Sequence, residues 1–597
     1  MDFDACRSLT TGFFDQAATR KNKAFLWHKE DGRFRPQTWG EITEQVTALS
    51  RGLRQLGVVP GDRVMLVAEN RPEWLVADLA IMAAGAITVP AYTTSLASDH
   101  RHVLTDSGSV GAIVSTQALA DKLLPAVLDA PGCDWVVGMD DLQRPQAGTL
   151  SVHLWHELLE RGRALPDDVE EVAARAQRGD TACIIYTSGT GGVPRGVALS
   201  HGAILCNCMG AYKLLERLGL GREVFLSFLP LSHSYEHTAG QFFPITIGAE
   251  IYYAEGVDQL GKNLAEARPT IMTAVPRLYE TMHLRIRRGI DKKGGLAAKL
   301  FEKALELGEK RYLDPSSLTL WEGLQDFFLE RLVRAKIRKR FGGRIKAIVS
   351  GGAALNYDIG LFFTALGLPI LQGYGQTETA PVVSVNLPWK VKLETVGPPL
   401  EGVEVKIAGD GEILVRGELV MSGYWQDEEA TRQVLQNGWL HTGDIGEFDD
   451  EGYLKITDRK KDIIVFSGGD NVSPARVEGF LTLQREIVQA MVYGDKHPHL
   501  VALLLPDEEF TATWCRSNGK QRNLAKLPDD PDFRAAVSAV VDRVNQNLSP
   551  LEKVRRFAIL AEPFSVENEM LTPTMKIRRH KITAAYGETL GRLYEKR

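Results

Sequence analysis

A run of small and hydroxylated residues follows a strand-like segment and reads YTSGTGGVPRGV at 186–197. Glycines let several backbone N–H groups converge on an anion, and hydroxyls donate to phosphate oxygens. Arg195 adds a fixed positive charge that can bind phosphate through two donors. The run is not a Walker loop, because no lysine follows the glycines and Pro194 lies inside it. The composition therefore predicts a phosphate-binding loop of another kind, and the alternative is a flexible surface turn.

Two further glycine-containing segments read SGGAAL at 350–355 and QGYGQTE at 372–378. In the second, Tyr374 offers a flat face for a purine and Thr377 offers a hydroxyl for the α-phosphate. Glu378 offers the hard carboxylate oxygen that Mg²⁺ prefers. A tyrosine between glycines is also common in packed turns, so this segment alone leaves both interpretations open.

Four shorter motifs lie elsewhere in the chain. They read PLSHSYE at 230–236, TGD at 442–444, DRKKD at 458–462 and LTPTMKIRR at 571–579. Taken singly and in that order, the four motifs are typical of a loop with a structural histidine, of a simple turn, of a solvated run of charges and of a basic tail. Only their combination favours chemistry.

Together and in chain order, these motifs resemble those of the AMP-forming adenylating synthetases, the superfamily of acyl-CoA synthetases, luciferases and peptide-synthetase adenylation domains. The loop at 186–197 is similar to the family's YTSGTTGxPKG signature, with Gly191 where threonine is usual and Arg195 where lysine is usual. Arginine keeps the charge, but its planar fork is not equivalent to an ammonium group. Because a threonine hydroxyl is lost, we expect altered pyrophosphate release and an unchanged nucleotide class.

The resemblance implies a role for each residue that matches a family motif. The implied catalytic residues are Lys576, Thr377, His233 and Arg459. The residues implied for binding ATP or CoA are Thr187, Ser188, Gly189, Thr190, Gly191, Gly192, Arg195, Gly351, Gly352, Ala353, Gln372, Gly373, Tyr374, Gly375, Asp444, Asp458, Gly468 and Gly469. Thr190 and Glu378 are expected to hold the metal, so the implied cofactors are ATP, Mg²⁺ and CoA.

Five of these residues carry the implied mechanism. Lys576 is expected to place one positive charge between the attacking carboxylate and the α-phosphate. His233 is expected to lie beside that carboxylate. Asp444 is expected to accept both ribose hydroxyls, and Arg459 to contact ribose or phosphate. Asp458 is expected to take the torsion change between two domain orientations.

The residues that select the acid substrate must lie in the region of sequence between the phosphate loop and the Tyr374 motif. Aromatic residues are dense in this region. They could line an apolar tunnel or fill the core of a sheet. These residues are Phe225, Phe228, Phe242, Phe243, Tyr252, Tyr253, Phe362 and Phe363. The amphipathic segment at 282–340 should form two or three helices broken at Gly294-Gly295 and Asp314-Pro315. Together with PLSHxxE and LTPTMKIRR, this segment resembles the bacterial long-chain acyl-CoA synthetase branch, which implies a medium-to-long fatty acid.

The acceptor of the activated acid follows from another loop, VFSGGDN at 465–471. It resembles the face that the family's small domain presents to the pantetheine tunnel, where Gly468 and Gly469 leave room. This favours CoA. The alternatives are a fatty acyl-AMP ligase that loads a carrier protein, a ligase for small or aryl acids, and a catalytically weak nucleotide-binding scaffold.

The elements that must position these residues follow from hydrophobic periodicity. The first half alternates helix-like and strand-like segments, which favours α/β layers with a parallel sheet. Short strands and turns at 403–416 predict a β-hairpin, and the resemblance implies that it belongs to a small β-barrel-like subdomain. The resemblance implies a large N-terminal domain at 1–457, a small mobile α+β domain at 458–597 and a hinge at 458–462.

Composition limits the partners and the location. The 597 residues are 44% hydrophobic and 24% charged with a net charge of −6, so no basic field favours nucleic acid. The expected partners are small molecules: fatty acid, CoA and ATP. Six cysteines, of which only Cys206 and Cys208 are close together, indicate neither a disulfide framework nor a CxxC metal site. We therefore expect a cytoplasmic protein.

The sequence leaves two further points open. The basic helices at 331–340 could touch anionic lipid on the inner face of the membrane, although a solvated helix face is the simpler interpretation. The oligomeric state is open as well, a homodimer included.

Overall fold

The computed structural model describes residues 2–143, 150–187, 193–460, 463–521 and 526–595. Its described residues form two eight-stranded sheets, a five-stranded antiparallel sheet and, in the C-terminal part, sheets of two and three strands. Large hydrophobic clusters lie between the first two sheets and their helices, and the C-terminal part has its own clusters. This agrees with the predicted layered α/β architecture followed by a smaller α+β unit.

The first sheet contains the strand that feeds the phosphate loop. Its interior strands are parallel, and its strands Thr181–Thr187 and Arg195–Ser200 pair antiparallel. In spatial order the strands are Gly423–Tyr424, Arg195–Ser200, Thr181–Thr187, Ile87–Pro90, Arg63–Val67, Gly111–Val114, Trp135–Gly138 and Ser151–Leu154. The associated helices are Leu9–Arg20, Trp39–Gln55, Pro72–Ala83, Ala97–Ser107, Gln117–Asp129, Trp155–Arg163 and Val169–Ala173.

The second sheet carries the SGGAAL and Tyr374 motifs. In spatial order its strands are Val382–Val385, Ile370–Gly375, Ala347–Ser350, Ile271–Ala274, Val224–Ser227, Glu250–Tyr253, Ala24–Glu30 and Arg33–Thr38. The strands Ala347–Ser350 and Ile370–Gly375 are parallel neighbours. Both motifs therefore emerge at the same edge, because parallel strands end at one edge of a sheet.

Helices pack around this second sheet and between the two sheets. They are His201–Leu215, Phe243–Ile247, Leu260–Ala267 and Tyr357–Ala365, with a π-helix at Glu236–Phe242 and 3₁₀ turns at Glu216–Leu218 and Thr377–Thr379. The Pro72–Ala83 helix is buried at every residue except Glu73. The apolar stretch at 75–92 is thus a buried core helix that runs into the strand Ile87–Pro90.

The amphipathic segment forms a separate layer of helices. They are Pro276–Lys293, Gly295–Leu313, Leu320–Leu329 and Ala335–Arg340, with a π-helix at Glu330–Arg334 and a 3₁₀ turn at Pro315–Ser317. The predicted break falls at Gly294, whose φ of 55° lies in the left-handed region that favours glycine. Within the described residues, no helix is both long and apolar enough to cross a bilayer.

The remaining elements lie in the last third of the chain. The five-stranded sheet comprises Glu404–Ile407, Glu412–Arg416, Leu435–Gln436, Trp439–Phe448 and Leu454–Arg459, with the helix Glu428–Val434. The C-terminal part has strands Ile464–Val465, Asn471–Val472, Ile487–Tyr493, Leu500–Pro506 and Val554–Ile559, helices Pro474–Thr482, Glu508–Ser517, Pro531–Asn545 and Arg579–Arg592, and a 3₁₀ turn at Leu527–Asp529. The hairpin expected at 403–416 is confirmed.

The predicted domain boundary after residue 457 falls within the Leu454–Arg459 strand, near its end. Ile445 pairs with Asp458 and Asp444 with Arg459 across this strand and its neighbour. The ranges 1–457 and 458–597 stay a prediction.

Candidate active site

The phosphate loop joins two paired strands. Thr187 and Arg195 face each other in the register of the hairpin. The paired strands fix both ends of the loop at the edge of the first sheet. The residues Ser188, Gly189, Thr190, Gly191 and Gly192 lie outside the described part of the chain; their roles stay predictions.

Arg195 is linked to the predicted metal ligand through an aromatic ring that the sequence did not single out. Its guanidinium lies 5.5 Å from the centre of the Tyr424 ring, and its Nε lies 3.4 Å from Asp427 Oδ2. The Tyr424 hydroxyl donates to Glu378 Oε1 at 2.9 Å. Burial, followed by the charge of the Glu378 carboxylate, raises the pKa of Tyr424, so the hydroxyl stays a donor.

The chemistry around Glu378 fits Mg²⁺ held together with nucleotide phosphates. Tyr424 occupies one of its carboxylate oxygens, and no described residue donates to the other. Among the described residues, no group of three or more histidine, cysteine or acidic side chains could form a metal cage. Magnesium is commonly held by one or two carboxylates plus substrate phosphates rather than by such a cage.

A buried carboxylate lies between the Tyr374 motif and the end of the strand that contains Arg459. Tyr374 Oη donates to Asp444 Oδ2 at 2.7 Å, and Arg459 Nε donates to Asp444 Oδ1 at 3.1 Å. Burial and the Asp444 charge raise the pKa of Tyr374, which therefore remains a phenol. The structure thus brings together three residues that the motif order assigns to the nucleoside.

The SGGAAL turn has an open face and a packed face. Gly352 and Ala353 are exposed, and Gly352 has a φ of 81°. A Cβ on Gly351 would come within 3.1 Å of Tyr235 Cζ, and Tyr235 Oη donates to the carbonyl of Val349 at 2.9 Å. Tyr235 therefore supports this turn from behind, a role that its position two residues after His233 did not reveal.

The glycines of the Tyr374 motif serve packing. A Cβ on Gly375 would lie 1.8 Å from the carbonyl oxygen of Pro381, and one on Gly373 would lie 3.2 Å from that of Ser384. Gln372 is buried, and its side-chain amide is bonded at both ends to backbone groups of Leu355 and Leu393. These contacts position the motif, and contact of the three residues with nucleotide stays a prediction.

His233 occupies a half-buried position in the loop before the π-helix. Its Nδ1 accepts from the backbone N–H of Tyr235 at 3.1 Å. Burial of the ring, and next the positive charge of Lys576, lower the pKa of His233 to about 4. At neutral pH the ring is therefore uncharged, and its proton resides on Nε2 because Nδ1 accepts.

Lys576 approaches His233 from the C-terminal part of the chain. It lies on a tight turn closed by two hydrogen bonds, from Thr572 N to Lys576 O at 2.8 Å and from Lys576 N to Thr572 Oγ1 at 3.0 Å. Thr94 Oγ1 donates to the carbonyl of Pro573, in the same turn, at 2.9 Å. Thr94 follows the Ile87–Pro90 strand, and no sequence signal marked it.

Thr377 lies beside the same loop. Its hydroxyl is 3.1 Å from the Ser234 hydroxyl, and Ser234 follows His233 directly. His233 is thus close enough to Lys576 to feel its charge, and its neighbour Ser234 contacts Thr377. Together Lys576, His233 and Thr377 can present a cation, a neutral ring N–H and a hydroxyl to a carboxylate and a phosphate.

The predicted hinge and CoA residues form hydrogen bonds within their own segments or with the neighbouring sheet. Asp458 Oδ1 accepts from the backbone N–H of Arg459, and Lys460 Nζ lies 2.7 Å from Asp410 Oδ2. Gly468 and Gly469 form an exposed turn closed by a bond from Gly469 N to Phe466 O at 2.9 Å. Residues 461 and 462 lie outside the described part of the chain. The hinge and CoA roles stay predictions.

A narrow apolar cavity extends behind Tyr235. It is lined by Asn207, Cys208, Ala211, Leu214, Leu215, Phe225, Tyr235, Thr238, Ala239, Phe243, Ile271, Thr273, Val349, Val382, Val385 and Leu400. Two of the aromatic residues that the sequence singled out, Phe225 and Phe243, line it. The other six belong to the hydrophobic clusters or pack against them.

One buried carboxyl adjoins this cavity. Glu236 Oε2 accepts from Thr273 Oγ1 at 2.6 Å, and Thr273 is a lining residue. Burial raises the pKa of Glu236 to about 7, so near neutral pH the carboxyl carries a proton in about half of the molecules.

The two large sheets, the small antiparallel sheet and the C-terminal unit define the fold of adenylate-forming enzymes. Similar solved structures include the anthranilate CoA ligase AuaEII with anthranoyl-AMP, at a TM-score of 0.72 and 21% identity over 99% of this chain and 100% of that one. Another is the A domain of carboxylic acid reductase from Segniliparus rugosus with AMP and a co-purified carboxylic acid, at a TM-score of 0.77 and 20% identity over 98% and 94%.

The chain belongs to the AMP-binding enzyme family, whose model matches residues 13–425, while the model of the AMP-binding enzyme C-terminal domain matches 461–597. A similar curated protein is the long-chain-fatty-acid–CoA ligase FadD15 of Mycobacterium tuberculosis, 35% identical over 95% of this chain and 93% of that one. The peroxisomal long chain acyl-CoA synthetase 7 of Arabidopsis thaliana is 33% identical over 94% and 82%. The resemblance inferred from the motifs is confirmed.

Proposed function

We propose that the protein is a long-chain fatty-acid–CoA ligase. It joins a medium-to-long fatty acid to AMP, releases pyrophosphate and then transfers the acyl group to CoA. The observation that carries this proposal is the position of Lys576, whose charge acts on His233 and whose turn is bonded to Thr94. The curated ligases at 33% and 35% identity support the substrate class.

In the first step, a carboxylate oxygen of the acid attacks the α-phosphorus, and the bond to the pyrophosphate oxygen breaks. Lys576 balances the negative charge shared by the two reacting groups. His233 donates from Nε2 to the carboxylate without adding a second positive charge, because its pKa is lowered to about 4. Thr377 donates its hydroxyl to an α-phosphate oxygen. No protein nucleophile is needed, so positioning and electrostatics supply the catalysis.

The nucleoside is held by the SGGAAL turn and by the Asp444 cluster. The purine lies along the exposed face of Gly352 and Ala353 against Tyr374. Asp444 accepts the ribose hydroxyls, since a carboxylate has about four acceptor positions and Tyr374 and Arg459 take two of them. Glu378 and Thr190 would hold Mg²⁺, which neutralises charge on the leaving pyrophosphate.

In the second step, the small domain at 458–597 rotates about Asp458 against the large domain at 1–457. This movement withdraws Lys576 and presents Gly468 and Gly469 to CoA. The thiolate attacks the acyl carbonyl carbon, and AMP leaves with the electron pair of the broken mixed anhydride bond. The open surroundings of Gly469 support this assignment, because a Cβ added there would meet no atom within 4 Å.

The acyl chain enters at the apolar cavity behind Tyr235, which measures about 50 Å³ and must widen to hold a long chain. Its walls combine Leu214, Leu215 and Phe225 from elements that pack beneath the His233 loop. The Glu236 carboxyl, half-protonated near neutral pH, places less negative charge beside a methylene chain than an ordinary carboxylate would.

The protein acts in the cytoplasm, on small molecules, at the inner face of the membrane where fatty acids partition. All six cysteines are free and buried, which suits a reducing compartment. Whether it acts as a homodimer is answered by sedimentation at working concentration.

The test is a panel of acids and acceptors. With ATP, Mg²⁺ and palmitate, we expect ATP–pyrophosphate exchange before any acceptor is added, and palmitoyl-CoA once CoA is present. A fatty acyl-AMP ligase would transfer only to an acyl carrier protein, and an aryl-acid ligase would exchange with benzoate rather than palmitate. Nucleotide binding without exchange, or production of ADP, would contradict the proposal.

A further inference from the structure

The helix Leu320–Leu329 exposes its apolar face to solvent. Its outward positions are apolar: Leu320 is 98% exposed, Trp321 67% and Phe327 62%, with Leu324 and Phe328 beside them. These five residues follow helical spacing that places them on one face. An amphipathic helix normally buries such a face, so here the apolar face is turned to the outside.

The acidic residues of the same segment are engaged by basic partners. Glu322 pairs with Lys310 at 2.9 Å, and Asp326 pairs with Arg311 at 2.8 Å and with the buried Arg334 at 2.6 Å. Glu330 pairs with Arg338. Glu322, Asp326 and Glu330 are the three acidic residues of 320–340, so the negative charges of this segment are neutralised.

The continuation of this helix carries exposed basic residues. Arg331, Lys336, Lys339 and Arg340 are exposed, and none of them forms an ion pair with a carboxylate in the described part of the chain. Leu332, 49% exposed, extends the apolar face among them. The outer surface of residues 320–340 therefore combines tryptophan, phenylalanine and leucine with unneutralised positive charge.

We propose that this surface, defined by the outward residues of 320–340, docks the protein on an anionic lipid bilayer. Aromatic and leucine side chains enter the boundary between headgroups and acyl chains, while lysine and arginine attract acidic headgroups. A protein partner would need its own acidic and apolar complement, whereas an anionic bilayer presents both across its whole surface.

The inference rests on the proposed function, because a ligase for fatty acids gains from contact with the phase in which those acids dissolve. Docking at this helix layer would bring the large domain next to the membrane. The adjoining helix Gly295–Leu313 packs on Tyr357–Ala365, so the surface is fixed to the second sheet rather than borne on a loose loop.

The test is flotation with vesicles of about 70% phosphatidylcholine and about 30% phosphatidylglycerol, which present a negative surface potential. We expect the wild-type protein to float with these vesicles. The fraction of protein that floats should be at least about fivefold smaller with pure phosphatidylcholine vesicles or in high salt. The double variant Trp321→Ser/Phe328→Ser should bind at least about fivefold less, because it loses two of the side chains that enter the bilayer. The matched control Trp389→Ser/Leu551→Ser, also at exposed apolar positions, should bind like the wild type.

Charge is tested in the same way. Lys336→Glu/Lys339→Glu should lose binding to anionic vesicles, and the control Lys213→Glu/Lys262→Glu, at exposed lysines elsewhere, should keep it. Equal flotation of the 320–340 variants and the wild type would overturn the proposal. So would a wild-type protein that fails to float and instead forms a dimer that Trp321→Ser/Phe328→Ser dissociates.

Failure of this proposal is distinguishable from failure of the proposed function. Flotation requires no catalysis, and octanoyl-CoA synthesis in vesicle-free buffer requires no membrane. The variants should synthesise octanoyl-CoA at the wild-type rate, which also shows that they fold.

Discussion

Thr94 donates a 2.9 Å hydrogen bond from its hydroxyl to the backbone carbonyl of Pro573, 479 residues later in the chain. The bond joins the loop after the Ile87–Pro90 strand to the turn that carries Lys576. In addition, Leu96 packs against the hydrophobic cluster of the C-terminal unit. The contact therefore holds the unit in the orientation that brings Lys576 to His233.

Replacement of Thr94 by valine should slow adenylate formation and spare the second step. An exposed hydrogen bond of this kind contributes on the order of 0.5–1 kcal/mol, so we expect a loss of about two- to fivefold. The measurement is ATP–pyrophosphate exchange beside thioester formation from a preformed acyl adenylate. Thr93→Val, at the neighbouring threonine, is the control. Matched slowing of both reactions would argue against a role for this contact in one domain orientation.

Tyr374→Phe should weaken nucleotide binding while leaving the flat ring in place. The variant loses the 2.7 Å hydrogen bond to Asp444, so the carboxylate is less well oriented for ribose. We expect the Kd for AMP to rise about three- to tenfold, or about 0.7–1.4 kcal/mol, which lies within the net contribution of one ordinary hydrogen bond because the lost bond only orients the carboxylate. Calorimetric titration measures it. Tyr453→Phe, which loses a bond to the carbonyl of Lys390 instead, should bind AMP normally.

Ala211→Phe should shorten the acyl chain that the enzyme accepts. Ala211 lines the apolar cavity on the His201–Leu215 helix, and a phenyl ring there removes space from it. We expect kcat/KM for palmitate to fall at least about tenfold, by analogy with about 1–3 kcal/mol for a misfit in an apolar pocket. Octanoate is the internal control and should change less than about twofold. A proportional loss for both acids would place the acyl chain elsewhere.

Acid should destabilise the protein through buried neutral histidines. Burial lowers the pKa of His100 to about 4, and no described residue bonds to either ring nitrogen. In the unfolded chain the value is about 6.5. Between these values the unfolded state binds a proton that the folded state does not, so stability is complete above about pH 6.5 and is lost as the pH falls toward about 4.

His100→Leu tests this linkage. The variant lacks the group that takes up a proton on unfolding. Between about pH 7 and pH 4, its free energy of unfolding should therefore decrease less than that of the wild type, and the two decreases should differ by up to about 3 kcal/mol. Urea unfolding at a series of pH values measures this. Parallel curves for variant and wild type would show that other groups control the acid limb, for example His201, whose pKa burial also lowers to about 4.

The sequence predicted the architecture and the motifs because both depend on local signals. Alternating apolar segments indicated the layered sheets, and the glycine and proline breaks near 294 and 314 marked the ends of the inserted helices. Motif order indicated Lys576, His233 and Thr377, which the structure brings together. For the nucleotide, it indicated Tyr374, Asp444 and Arg459, and both Tyr374 and Arg459 donate hydrogen bonds to Asp444.

What the sequence could not predict depends on contacts between distant segments. Tyr235, Tyr424 and Thr94 contribute through single hydrogen bonds to the SGGAAL turn, to Glu378 and to the Lys576 turn, and no spacing marks such partners. The many aromatic residues around 225–253 were visible in the sequence, but nothing in it showed which of them line the cavity and which fill the core. The outward apolar face of Leu320–Leu329 was hidden for the same reason, because periodicity shows that a face exists and not what it contacts.

In the proposed mechanism Lys576 stabilises the charge of the adenylate-forming step, and the variant Lys576→Ala is the sharpest test of this role. We expect palmitate-dependent ATP–pyrophosphate exchange to fall at least about 100-fold, a loss of the size seen when one preorganised donor to the transition state is removed. Palmitoyl-CoA formation from preformed palmitoyl-AMP should stay within about twofold of the wild type, as should both reactions in Lys581→Ala. Equal loss of the two half-reactions in Lys576→Ala would contradict the account.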